Sequence, residues 1–340
     1  MAGPGGDRDV SNAVRPCGLA ARTNRNGTRP RERAAAMTLD LTATTSSRVA
    51  WAFLEARRVA GSPAMGMVLT LVIVTDEDLC ESALDAATHA AREHPPRVLA
   101  LITLPGSSQT RLDASVSVGG TAGPGETAVL RLHGELAGHP ESVVAPLLLS
   151  DAPVVVWWPG AAPAMPATDP VGVLGHRRIT DAALEPDPIG ALRARAARYA
   201  PGDTDLAWTR LTPWRSMLAA ALDTPPPADV VAATVGAEIG NPSAELLVHW
   251  LACRLQVPVD RVDTAGPGLT EARLSLANRI GDIALSRPDG VLATLSVPGR
   301  PDRSVALKRR DTSELIAEEL RRLDPDDVYA ATLATLDRSV

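Results

Sequence analysis

Residues 203–215, DTDLAWTRLTPWR, hold two of the chain's six tryptophans, two arginines and two aspartates. Tryptophan and arginine are enriched where a few contacts carry most of a binding energy. They are also good core and helix-end residues, and an arginine in so dense a patch could act on a substrate. Helical spacing sorts these roles. Ala207, Leu211, Trp214, Leu218 and Ala221 recur at steps of four and three, a core stripe. Asp203 or Thr204 reads as a helix cap, with Asp205 in the first turn, where negative charge is favoured. Pro213 would break a helix interior, so either the helix kinks there or Thr212 caps a second helix with Pro213 at its first position. Trp208, Arg210 and Arg215 fall off the stripe and are expected to project outward. The pattern predicts a partner-binding or domain-packing surface that includes Asp203, Asp205, Trp208, Arg210, Trp214 and Arg215, and no catalytic centre.

A second set is Trp157, Trp158 and Pro159 in DAPVVVWWPG, residues 151–160. Side chains alternate along a strand, so the adjacent tryptophans face opposite sides. One is expected in the core, and the other packs under a helix layer or reaches the surface. Ligands of open α/β sheets sit outside the carboxyl ends of the strands, which makes this loop the best ligand position by geometry. Its side chains are apolar and offer no proton donor or acceptor. All three residues join the expected partner surface.

Other patterns exclude chemistry. The first βα turn, VTDEDLCES, has no glycine and carries acids that would repel a pyrophosphate, so a dinucleotide fingerprint is absent where it is needed. The stretch GGTAGPGE at 119–126 matches neither GxGxxG nor a lysine-bearing phosphate loop, and reads as a hairpin connection. His133 and His139 have no acid or cysteine at ligand spacing. There is no GxSxG, no HExxH and no close His–acid pair. Cys17, Cys80 and Cys253 are far apart without a CxxC, and read as reduced thiols of a cytosolic protein. Arg193, Arg195 and Arg198, on a helix opened by Asp187-Pro188, could bind a phosphate but read first as a solvated helix face. No cofactor and no metal is expected.

Charge narrows the partners. The net charge is −6, yet residues 1–36 hold seven arginines against three acids, so the rest of the chain carries −10. So acidic a body is a poor ligand for nucleic acid. No apolar run approaches the roughly 20 residues of a membrane span. Residues 1–36 are rich in Gly, Arg, Pro and Ala without periodicity, and are expected to be a disordered extension or an upstream start-site artefact. The localisation expected is cytoplasmic.

The elements that must position these residues follow from periodicity. Ser46 or Ser47 caps a helix whose stripe is Val49, Phe53 and Ala56. Residues 65–75 are a short continuous apolar run, the mark of a strand buried on both faces. Thr75 or Asp76 caps a helix over 77–94, and 97–103 is a second strand. This β-α-β spacing predicts an open, mostly parallel or mixed sheet in an α/β domain over 37–200. Residues 178–181 read as an edge strand. A smaller α+β domain is expected over 201–340, with a strand at 230–239, a helix at 244–256, and strands at 257–263, 270–278, 280–287 and 291–297 forming an antiparallel meander. A further edge follows at 304–308, then two terminal helices.

From residue 37 onward the chain resembles the glucose-6-phosphate dehydrogenase assembly protein (OpcA) family in its actinobacterial form. The residues that carry the resemblance are VLTLVIVT at 68–75, REHPPRV at 92–98, AVLRLHGEL at 128–136, PLLLSDAPVVVWWPG at 146–160, RRITDA at 177–182, PGDTDLAWTRLTPWR at 201–215 and EELRRLDPDDVYA at 318–330. The resemblance implies a non-enzyme that helps glucose-6-phosphate dehydrogenase reach its active oligomer, or activates it allosterically, at the entry of the oxidative pentose phosphate pathway. Cyanobacterial relatives are linked to thioredoxin-dependent control, for which this chain lacks paired cysteines. The alternative from the residues is a sugar-phosphate- or nucleotide-binding α/β enzyme or sensor.

Overall fold

A computed structural model describes residues 37–60, 67–91, 95–119, 125–223, 228–277 and 281–337; the extension expected at 1–36 lies outside them. The first part of the chain runs β1 (Met37–Thr44), α1 (Ser46–Ala60), β2 (Thr70–Thr75), α2 (Glu77–Ala90), β3 (Arg97–Leu104), β4 (Arg111–Val118), β5 (Glu126–His133), α3 (Pro140–Val144), β6 (Val154–Trp157), β7 (Arg177–Thr180), α4 (Pro188–Ala196) and β8 (Asp203–Asp205). These strands make one sheet in the order β1-β4-β5-β3-β2-β6-β7-β8. From β5 to β8 it is parallel, and the β1–β4 edge is antiparallel. Its central strands are apolar on both faces because both faces are covered. Val72, Leu99, Leu101 and Val156 pack toward α1 and α3, while Leu71, Ile73, Ala100, Ile102 and Val155 pack toward α2. Helix α1 buries Val49, Ala52, Phe53 and Ala56. Asp76 caps α2 by accepting from the Leu79 amide at 2.8 Å. Two expectations change. Residues 37–44 add a strand that was not foreseen. β7, expected at an edge, is internal, because β8 pairs on its far side.

The chain continues as α5 (Leu206–Thr209), α6 (Thr212–Asp223), β9 (Val230–Ala237), α7 (Pro242–Leu255), β10 (Val259–Asp263), β11 (Leu269–Leu276), β12 (Asp282–Ser286), β13 (Leu292–Ser296), β14 (Arg303–Ala306), α8 (Thr312–Arg321) and α9 (Asp327–Asp337). A second sheet has the order β10-β9-β11-β12-β13-β14. β11 to β14 form the expected antiparallel meander. β10 does not belong to it. It runs parallel to β9 on the opposite side, since α7 between them makes a β-α-β crossover. One face of this sheet, through Val235, Ala272, Leu274, Ile283 and Leu285, packs on Leu218, Leu247, Leu251 and Tyr329 from the helices. The opposite face is polar, with Arg273 between Glu271 and Asp282. That is the alternation of an antiparallel sheet covered on one side.

Helix α8 lies late in the chain but returns to the first sheet. Leu315, Ile316 and Leu320 join the core beneath α2. Its start is fixed by a capping box between Asp311 and Glu314. The first sheet therefore includes β8, beyond residue 200, and is roofed by a helix from after residue 310.

Candidate functional site

Residues 203–215 are not one helix. Asp203, Thr204 and Asp205 are strand, and a single turn and then α6 follow. The expected cap falls two residues later than Asp203, because β8 must first pair with β7. Gly202 makes this possible. Its φ is +94°, and a Cβ there would lie 2.4 Å from the His176 carbonyl oxygen. Arg178 donates to Asp203 at 2.5 Å. Asp205, 1% exposed, accepts from Thr180 Oγ1 (2.6 Å), the Ala182 amide (3.0 Å), the Ala207 amide (2.9 Å) and Arg195 Nη1 (3.4 Å). Both aspartates are buried and consumed by internal donors. Arg195, expected on a solvated face, is buried between Asp205 and Glu185.

The core stripe is as spaced: Ala207, Leu211, Trp214, Leu218 and Ala221 are all buried. Pro213 falls in the first turn of α6, where no helical hydrogen bond is lost. The off-stripe residues depart from expectation. Trp208 is 2% exposed, and its indole Nε1 donates to Asp326 Oδ2 at 2.9 Å. Tyr329 lies against its ring at 5.4 Å, and the Arg215 guanidinium stands 3.7 Å from the ring centroid. Helices α8 and α9 close over the side that the local pattern left open. Arg210 makes a two-pronged contact with the buried Asp181, at 2.7 and 2.6 Å. Burial works against its charge, but Asp181 outweighs burial and lifts the guanidinium above its usual value. Arg215 makes no ion pair among the described residues, and burial lowers its pKa to about 10, so it stays protonated at neutral pH.

Trp157 and Trp158 do face opposite sides of the sheet. Trp157 packs with Leu206 and Ile316, and Trp158 with the α1 and α3 side. Neither reaches solvent, and Pro159 is buried too. Of the nine candidate residues, only Arg210 and Arg215 keep partial exposure. The cleft at the carboxyl ends of β2 and β3 is about 220 Å³ and is lined by Thr75, Asp76, Leu79, Thr103 and Gly160. Glu77 and Asp78 occupy the first turn of α2, and the Arg131 contact holds Glu77 below the usual carboxylate range. A phosphate at this helix N-terminus would meet three carboxylates. Among the described residues no group of three or more His, Cys, Asp or Glu is placed to hold a metal ion. Cys80 and Cys253 are free thiols, and Cys17 lies outside the described residues.

The block separates two clefts. One, about 380 Å³, carries mixed charge from Arg215, Arg322, Glu318 and Asp326. The other, about 170 Å³, is cationic, with Arg210 and Trp214 on one wall and Arg287, Lys308, Arg309 and Arg310 opposite. The cationic cleft was missed in the sequence. Its signal is the run Lys308-Arg309-Arg310, which holds the chain's one lysine.

Fold and site together define a two-sheet α/β protein whose densest charged block is internal architecture and whose dinucleotide position is acidic. The sequence matches the glucose-6-phosphate dehydrogenase subunit N-terminal domain over residues 87–197 and the corresponding C-terminal domain over residues 201–333. The chain belongs to the OpcA family of glucose-6-phosphate dehydrogenase assembly proteins. No curated protein matches it. Among solved structures it is similar to a Gfo/Idh/MocA family oxidoreductase from Vibrio cholerae, at 10% identity over 79% of this chain and 95% of that one, with a TM-score of 0.33. An oxidoreductase from Sinorhizobium meliloti is similar at 11% identity over 78% and 86%, with a TM-score of 0.35. UDP-N-acetylglucosamine 3-dehydrogenase from Acidithiobacillus ferrooxidans is similar at 13% identity over 79% and 96%, with a TM-score of 0.32. Nothing about activity follows from likeness at this level.

Proposed function

We propose that this chain is a non-enzymatic partner of glucose-6-phosphate dehydrogenase that acts in the cytoplasm and promotes the enzyme's active oligomer, by assembly or by allosteric activation. The observation that carries the reading is the pair of family-domain matches, which run nearly end to end from residue 87 to residue 333. Two features support the non-catalytic part. Every acid of the 203–215 block is neutralised inside the protein. The βα turn where a dinucleotide would sit presents Asp76, Glu77 and Asp78. Within the block, Arg210 and Arg215 are the charged side chains left able to touch the dehydrogenase. The four tryptophans at 157, 158, 208 and 214 act by holding the frame. Co-purification tests the reading: the chain is expected to retain the dehydrogenase from its own organism at a fixed stoichiometry, and failure to form a complex under any condition contradicts it.

A further inference from the structure

Apart from Arg210 on its wall, the cationic cleft beside the block has no role in that reading, and its charges are arranged in an unusual way. Arg210, Lys308 and Arg310 are each neutralised by a carboxylate, Asp181, Glu314 and Glu318 respectively. Arg287 and Arg309 are not. Arg287 is 5% exposed, and its Nη1 and Nη2 donate to the backbone oxygens of Leu307 (2.7 Å) and Leu269 (2.9 Å). Its Nε is buried without a partner, and its guanidinium lies 5.0 Å from the Trp214 ring centroid. Arg309 makes no ion pair among the described residues, and no carboxylate among them lines the cleft. A buried cation normally has a countercharge, because leaving it unpaired is expensive. Here burial, and then the repulsion of Arg309, hold Arg287 below its usual value, against the weaker pull of Asp289, which makes no ion pair with it among the described residues.

The donors also converge. At Gly268, φ is +66°, and the three atoms nearest to where a Cβ would stand are Arg287 Nη2, Arg309 Nε and Asn241 Nδ2, all at 3.9 Å. Three nitrogens from three separate segments lie near one open position; Asn241 Nδ2 spends one N–H on Glu238 Oε1 at 3.4 Å and Arg287 Nη2 one on Leu269, and each carries a second. Asn241 also caps α7, a helix of 14 residues whose first turn opens toward the same cleft through Ser243. Pro242 has no N–H and the Ala244 amide is capped by Asn241, so the helix N-terminus adds positive potential rather than a set of free amides. We infer that this cleft binds the phosphate group of a small phosphorylated molecule, with Arg287, Arg309 and Asn241 as its donors. A dianion matches two uncompensated cations, and its oxygens match donors arriving from several directions. A cleft of about 170 Å³ that opens to solvent seats the phosphate and leaves the remainder of the molecule outside.

The site needs nothing from the dehydrogenase, so binding is measured on this chain alone and stands or falls separately from the partner reading. Inorganic phosphate and glycerol 3-phosphate are titrated calorimetrically into the full chain. Both should bind, the ester at least as tightly as the free ion. Arg309→Glu should weaken both by tenfold or more, while Arg303→Glu, on exposed β14 outside the cleft, should leave them within twofold. Gly268→Asp provides a second variant, because aspartate tolerates positive φ better than most residues and its carboxylate would occupy the site from within. It should remain folded and lose phosphate binding. No heat with either ligand, exclusion of the ester, equal effects of the two arginine variants, or full binding by folded Gly268→Asp would each overturn the assignment.

Discussion

Trp208 and Arg215 form a stacked pair roofed by α9, and Asp326 ties it down. Trp208→Ala removes a buried indole, its hydrogen bond and the surface on which Arg215 rests. Loss of a large aromatic from a core costs about 3–5 kcal/mol, so chemical denaturation should show a fall of that size. Asp326 gives this pair a pH signature. Burial opposes its ionisation, but the Trp208 indole, the Tyr329 and Val328 amides and Arg215 hold its carboxyl below the usual value. A carboxyl depressed in the folded state contributes stability that is fully present above its unfolded value, about pH 4, and lost as the pH falls through the folded value. Denaturation from pH 6 to pH 2 should therefore show Asp326→Asn to be less stable than wild type at pH 6, with the gap closing toward pH 2. An unchanging gap would remove Asp326 from this role. The stripe of the 203–215 block was legible in its spacing. The burial of Trp208 was not, because what covers it begins more than a hundred residues later.

Helix α8 is the element that ties the molecule across its length. Its apolar stripe fills the space beneath α2, so Ile316→Ala should cost about 2–4 kcal/mol by cavity formation. The cost should appear in the melting of the first sheet together with α8, and a mutant that melts α8 alone while the first sheet persists would contradict the packing. Element types were legible where local physics decides them. The continuous apolar run of β2, the Asp76 cap and the meander from β11 onward read correctly. β8 was not legible, since three polar residues make no apolar run and only pairing with β7 makes them strand. β10 looked like one more meander strand because a strand's partner is set by the crossover through α7, not by its own composition.

At the scale of the molecule, Glu319 of α8 ties the first sheet to the 203–215 block. Its carboxylate accepts from Arg177 of β7 at 2.9 and 2.5 Å and from Thr209 of the block at 2.6 Å. Arg177 is 3% exposed, so Glu319→Ala strands a buried cation and should cost about 3–5 kcal/mol. Equilibrium denaturation of the variant checks this, and a loss below about 1 kcal/mol, the scale of a surface pair, would contradict it. The fold class and the family were legible from sequence blocks spread over the chain. The cationic cleft was not, because Asn241, Gly268, Arg287 and Arg309 come from four segments that only the fold brings together.

The central claim is that the chain acts on glucose-6-phosphate dehydrogenase without catalysing a reaction itself. It is tested most directly by the turnover and oligomeric state of the purified dehydrogenase, followed together as this chain is added. The prediction is a saturable rise in turnover in step with formation of a complex at fixed stoichiometry, and no turnover by this chain alone. An unchanged rate with no complex, or dehydrogenase activity in this chain by itself, would contradict it.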